Sequence, residues 1–140
     1  MPDNLVISAN PYFLDREWIV RAVQGSYWGG SYTREQILAA MEESVVWGAY
    51  AVGVTNTQLG FVRAVTDTAI WSSITDVYVD EAHRGKGVGS ALMDAVIADD
   101  RIKNTMCILQ ARPAAQLWYQ MHWNFRVVDP VSGIMQRLPQ

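Results

Sequence analysis

Apolar positions change their period several times along the chain, and each change marks a predicted element. Leu5–Ser8 has the length of a short edge strand. Over Asp15–Gly25 the residues Trp18, Ile19, Ala22 and Val23 recur on one helical face, with Gly25 near the end. Ser26–Tyr32 (SYWGGSY) breaks that period with glycines and aromatics and reads as a loop. Thr33 then stands as an N-cap, with Gln36 three residues on completing a capping box. The helix behind it carries Ile37, Leu38 and Met41 and is expected to end near Ser44.

From there the period drops toward two. Val45–Val54 and Gln58–Thr66 are rich in Val, Tyr, Trp and Phe, and Thr55-Asn56-Thr57 between them predicts the turn of an antiparallel hairpin. Ser72–Val79 is a third strand, with Val77 and Val79 on one face and Tyr78 on the other. Ser90–Ala98 returns to helical spacing through Ala91, Leu92, Ala95 and Val96. Thr105–Gln110 predicts a short strand, Ala114–Met121 a helix, and Phe125–Val128 with Gly133–Arg137 a last strand pair. The order β-α-α-β-β-β-α-β-α-β-β is that of a mixed α/β (α+β) domain.

A length of 140 residues fits one domain, spanning 1–140. Half of the residues are apolar and 18% are charged, which excludes a disordered chain. The net charge of −3 argues against a nucleic-acid partner held by bulk positive charge. Six Trp and six Tyr suggest that some rings line a cavity. The single cysteine, Cys107, cannot close an internal disulfide, so a reducing cytoplasmic setting is expected, with Cys107 as a small buried hydrophobe. The first residues carry acids early and lack a basic-then-apolar leader pattern. No run of about 18 apolar residues offers a membrane span.

Candidate chemistry concentrates in Ile74–Met93, ITDVYVDEAHRGKGVGSALM. A strand ends at Val79, an acidic connection follows, and Arg84-Gly85-Lys86-Gly87-Val88-Gly89 runs straight into a helix. Alternating glycines let successive N–H groups converge on one point. The free N–H groups of the helix's first turn aim at the same place, where the helix dipole favours negative charge. Arg84 and Lys86 add formal positive charge. Together they describe a phosphate or pyrophosphate cradle whose ligand continues along the strand.

Other phosphate motifs fit poorly. A P-loop requires Ser or Thr after its lysine, and Lys86 is followed by Gly87. A dinucleotide fingerprint requires a third glycine where Leu92 stands. Asp80-Glu81-Ala82-His83 spells a helicase-like box by chance, since no P-loop accompanies it. His83 and His122 form no metal or triad spacing with a neighbouring Cys or acid, and no metal is expected.

The remaining pattern, Arg84-x-x-Gly87-x-Gly89 after a valine-rich strand and before a helix, resembles the acyl-CoA-binding segment of the GNAT superfamily of N-acyltransferases. SYWGGSY, VVWGAY, GFVRAVTD and LWYQM extend a looser similarity to small bacterial members over most of the chain. The resemblance implies a mostly antiparallel sheet of six or seven strands, flanked by about four helices. A central parallel pair would splay to admit the thioester. It implies that Arg84, Gly85, Lys86, Gly87, Val88, Gly89 and Ser90 bind the pyrophosphate of acetyl-CoA. The pantetheine arm would pair along Val77, Tyr78 and Val79. It implies direct attack by an amine of a small molecule or peptide, with Tyr119 protonating the leaving thiolate; the sequence leaves the oligomeric state open, the final strands being of the kind that could support a homodimer as in many relatives. A non-catalytic acyl-CoA sensor is the alternative.

A neutral phenol suits the acid's role, since its ordinary pKa lies slightly above that of a thiol. The competing, less favoured reading of Tyr119 is a packing or surface phenol. Asp76, at the start of DVYV, is either the general base or a structural carboxylate. Tyr27, Trp28, Tyr32 and Trp71 are candidates for the acceptor pocket, or for the core. Where the family pattern has a Gly-Phe pair after the tyrosine's helix, this chain has Asn124-Phe125. Asn can also take the left-handed conformation that closes a helix.

Overall fold

The computed structural model describes residues 4–53 and 56–139. Seven strands form one sheet in the order β1-β2-β3-β4-β5-β7-β6. They are β1 (Leu5–Ser8), β2 (Val45–Ala51), β3 (Thr57–Thr66), β4 (Trp71–Val79), β5 (Met106–Gln110), β6 (Arg126–Asp129) and β7 (Ile134–Arg137). Helices α1 (Arg16–Gly25) and α2 (Arg34–Glu42) cover one face, and α3 (Val88–Ala98) and α4 (Pro113–Trp123) the other. Each ladder is antiparallel except that between β4 and β5. The expected element order and the GNAT-like architecture are therefore present. Val54 and Thr55, which the sequence places at a strand end and in the hairpin turn, lie outside the described residues.

Period-two patterning divides the core into two layers. Val46 and Phe61 point toward α1 and α2, joining Ile19, Val20, Val23, Ile37 and Met41. Their chain neighbours Trp47 and Val62 point the other way, against Leu92, Met93 and Val96 of α3. Burying a side chain such as Phe61, fully out of solvent, contributes about 2 kcal/mol. The sheet is thus committed on both faces, and a one-residue slip of β3 would exchange its layers.

Helix starts follow the sequence closely. Asp15 Oδ1 accepts from the Trp18 N–H at 3.1 Å at the head of α1. Thr33 and Gln36 form the full capping box at the head of α2. At α3 the pattern breaks. Its N-cap is Gly87, with φ 84° and no side chain to offer.

Candidate active site

The parallel pairing of β4 with β5 is brief. Trp71, Ser72 and Ser73 pair with Met106, Cys107 and Ile108, and the described ladder stops there. Beyond Ser73 the strands part, and a cavity of about 680 Å³ occupies the wedge. Ile74 and Val77 of β4 wall one side, Leu109 and Gln110 of β5 the other, and Tyr119 of α4 lines it from the helix layer. Tyr27 and Trp28 of the α1–α2 loop reach the same space.

The cradle lies at the far end of β4. Gly85 and Gly87 both take positive φ, 76° and 84°, a region that costs an L side chain about 1–2 kcal/mol. The helical ladder of α3 begins only where the Ala91 N–H donates to the Gly87 carbonyl, at 3.0 Å. The N–H groups of residues 88–90 are left over, with a glycine cap that satisfies none of them. The same residues help to line a cavity of about 240 Å³, together with Val79, His83, Arg84, Gly85, Gly87 and Trp118. Lys86 is exposed at its rim. Arg84 is turned back on the strand, donating through Nε to the Val79 carbonyl at 3.0 Å and lying 5.5 Å from the Tyr78 ring. Val77 and Val79 face the α3–α4 layer, whereas Tyr78 packs on Trp18 and Phe61 in the other.

One helix serves both cavities. From α4, Trp118 contributes to the cradle and Tyr119 to the wedge. The Tyr119 ring meets Trp118 at 4.8 Å, Trp123 at 6.1 Å and Phe125 at 5.9 Å, which fixes its direction. Burial, with Tyr27 adding to it, pushes the Tyr119 phenol up to about 12. The group therefore stays protonated over the ordinary pH range. Asn124 closes the helix at φ 59° and ψ 29°, and its N–H donates to the Tyr119 carbonyl. Arg137 Nε adds a bond to the Trp123 carbonyl at 2.9 Å, holding the negative end of the helix.

Asp76 stands on the opposite side. Arg63 pairs with Asp76 while Ala64 pairs with Ile74, so Thr75 is a bulge residue. Both Thr75 and Asp76 line a second cavity of about 480 Å³, roofed by Val23 of α1, Tyr32 of the α1–α2 loop, and Gln36, Ile37, Ala40 and Met41 of α2. Asp76 Oδ2 accepts from Arg63 Nε at 2.7 Å, and Arg63 Nη1 donates to Ser44 Oγ at 3.1 Å. Trp28 and Thr75 border both this cavity and the wedge, which makes the two neighbours through the sheet.

Of the four aromatic candidates, Tyr27 and Trp28 reach the wedge, and Trp28 and Tyr32 the second cavity. Trp71 joins neither: it begins β4, at the end where β4 and β5 are still paired. Three residues escaped the sequence reading as site groups. Arg112 lines the wedge, Arg63 holds Asp76, and His83 lines the cradle with Nδ1 2.9 Å from Asp80 Oδ2. Only His83 had a signal, the acid three residues before it in the loop leading into the glycines. Cys107 is fully buried, and burial raises its thiol. Among the described residues no cluster of three His, Cys, Asp or Glu could hold a metal ion. No described helix is long and apolar enough to cross a membrane.

Comparison with known proteins agrees with this geometry. The family model described as an acetyltransferase (GNAT) domain matches residues 39–122. A Xanthomonas campestris protein described as an acetyltransferase of the GNAT family superposes with a TM-score of 0.78 at 28% identity, covering 86% of this chain and 84% of that one. Ard1 from Thermoplasma volcanium gives a TM-score of 0.72 at 22% identity over 98% of this chain and 99% of that one. Arabidopsis thaliana Naa50, in complex with the bisubstrate analogue CoA-Ac-MVNAL, gives a TM-score of 0.65 at 14% identity over 95% of this chain and 96% of that one. The last two likenesses speak for the fold.

Proposed function

The chain belongs to the GNAT acetyltransferase family, and from that premise we propose an N-acetyltransferase that transfers the acetyl group of acetyl-CoA to a primary amine. The amine would belong to a small molecule or a peptide and attack directly in a ternary complex. The observation that carries this reading is one of alignment. A single strand, β4, runs from an uncapped glycine turn to a wedge lined by a protonated tyrosine.

The residues suit the coenzyme along that whole path. The leftover N–H groups of residues 88–90, the positive-φ glycines at 85 and 87, and exposed Lys86 fit a diphosphate. Val77–Val79 beyond the parted ladder would pair with the pantetheine arm. An N–H in this stretch would polarise the acyl oxygen. The bisubstrate analogue bound to Naa50, which carries a peptide, supports an amine or peptide acceptor.

Bound acetyl-CoA supplies an activated acyl carbon and a thiol leaving group. The amine nitrogen forms the new C–N bond as the C–S bond breaks. Tyr119 gives its proton to the departing sulfur and regains one from solvent. Asp76 takes the surplus proton of the nitrogen through water from the neighbouring cavity. The alternative of a non-catalytic acyl-CoA sensor draws on the open choice between base and structural carboxylate for Asp76 and on the altered Gly-Phe position. Asn124 fills that position with the backbone angles it requires.

The test mixes the protein with acetyl-CoA and a panel of primary amines, and follows free thiol with a thiol-reactive dye. Amine-dependent, saturable thiol release with matching N-acetyl product supports the reading. Tight coenzyme binding without amine-dependent release across the panel would leave the sensor.

A further inference from the structure

The wedge contains one formal charge. Of its described lining residues only Arg112 has a formally charged side chain, and none is acidic. Arg112 is the N-cap residue of α4, where Pro113 opens the helix. The positive end of the α4 dipole therefore lies at the same mouth. No carboxylate is within ion-pair range of Arg112 among the described residues.

Its guanidinium is nevertheless held. The guanidinium carbon lies 3.5 Å from the centroid of the Tyr27 ring, so a residue from the β5–α4 junction stacks on one from the α1–α2 loop across the cavity mouth. Stacking occupies the flat face of the guanidinium and leaves its edge, with the N–H fork, free. A fork presented in this way matches the two oxygens of a carboxylate. The coenzyme does not account for it. Its diphosphate belongs at the glycine turn after β4, whose cavity lining does not include Arg112, its adenosine 3′-phosphate lies on the far side of that diphosphate from the thioester, and the pantetheine and acetyl groups are uncharged.

We propose that Arg112, braced by Tyr27, is the specificity residue for the acceptor, and that the acceptor is a small amine bearing a carboxylate, as an amino acid does. This rests on the acetyl-transfer reading of the same wedge. The positive mouth would draw the carboxylate to one end of the cavity while the amine reaches the thioester near Tyr119. It would also disfavour the ammonium form, and the neutral form is the nucleophile.

The test compares acceptors that differ only in the carboxylate: glycine with glycinamide, β-alanine with β-alaninamide, and 4-aminobutyrate with 4-aminobutyramide. Binding of the same pairs to protein saturated with desulfo-CoA is measured in parallel. In at least one pair the acid should exceed the amide about 10- to 100-fold in kcat/KM and in affinity, the range of a charge-assisted bidentate contact. Arg112→Met should bring that ratio to near 1, Arg112→Lys should keep part of it, and Tyr27→Leu should weaken it. Desulfo-CoA affinity and thermal stability show that each variant is folded. Transfer to acids and amides alike, or a ratio that survives Arg112→Met, overturns the proposal and leaves acetyl transfer standing. So does an Arg112→Met defect equal for both members of a pair, which would place the charge on the reacting acyl group. An Arg112-dependent preference in binding with no transfer to any amine would keep the anion site and overturn the acetyl-transfer reading.

Discussion

Asp76 Oδ2 and Arg63 Nε stand 2.7 Å apart across neighbouring strands, on the face of the sheet opposite Tyr119. The pair is largely shielded, with side-chain exposures of 17% for Arg63 and 12% for Asp76. Its removal has unequal consequences. Arg63→Met strands a shielded carboxylate and should destabilise by about 3 kcal/mol, whereas Asp76→Asn keeps a hydrogen-bond acceptor and should lose less. Denaturant midpoints of the two single variants and of the double variant check this; equal losses would contradict it. If Asp76 takes the amine's proton, Asp76→Asn lowers kcat/KM at least about tenfold. Near-normal turnover in that folded variant would make the carboxylate structural.

Tyr119→Phe should lower kcat by about 10- to 1000-fold, with coenzyme affinity unchanged. The pH dependence sharpens this test. The buried phenol titrates at about 12, against about 10 in an unfolded chain. The folded state therefore holds the proton more firmly. Its contribution to stability is complete below pH 10 and is lost as pH rises toward 12. In the wild type kcat/KM should show no descending limb from this residue below pH 10. A fall near pH 8 that vanishes in Tyr119→Phe would contradict the buried, protonated acid.

Asn124→Gly should be tolerated within about 0.5 kcal/mol, because glycine takes the left-handed cap freely. Asn124→Val should cost about 1–2 kcal/mol and also reduce turnover, since the residue that follows, Phe125, abuts Tyr119 at 5.9 Å. Thermal melts and initial rates measure both. Full activity in Asn124→Val would separate the helix end from the aim of the tyrosine.

Gly87→Glu places a side chain at φ 84° and an anion at the uncapped turn. Coenzyme A at a hundred times its Kd should stabilise the wild type by about 2.7 kcal/mol, or roughly 8 °C for a chain of this size. The variant should melt lower unliganded and gain almost nothing from coenzyme A. A wild-type-sized increment would exclude this turn from the binding site.

The fold was legible wherever one interaction dominated locally. The capping box at Thr33 and Gln36 and the alternation of Val46 with Trp47 each fixed an element by themselves. The backbone of the glycine turn was legible because positive φ and an absent cap leave glycine few substitutes. The bulge at Thr75 was not, since nothing at positions 74–76 breaks the strand pattern and the extra residue answers to pairing with Arg63 and Ala64. Arg112 was hidden for a related reason. Its meaning depends on a stack with Tyr27, 85 positions earlier in the chain, and no local pattern carries that contact.

A crystal structure of the protein grown with coenzyme A tests the central claim most directly. The account predicts diphosphate oxygens within hydrogen-bonding distance of the main-chain nitrogens of residues 85–90, and the sulfur between β4 and β5 near the Tyr119 hydroxyl. A coenzyme bound elsewhere, or a wedge that closes with the sulfur outside it, would contradict the account.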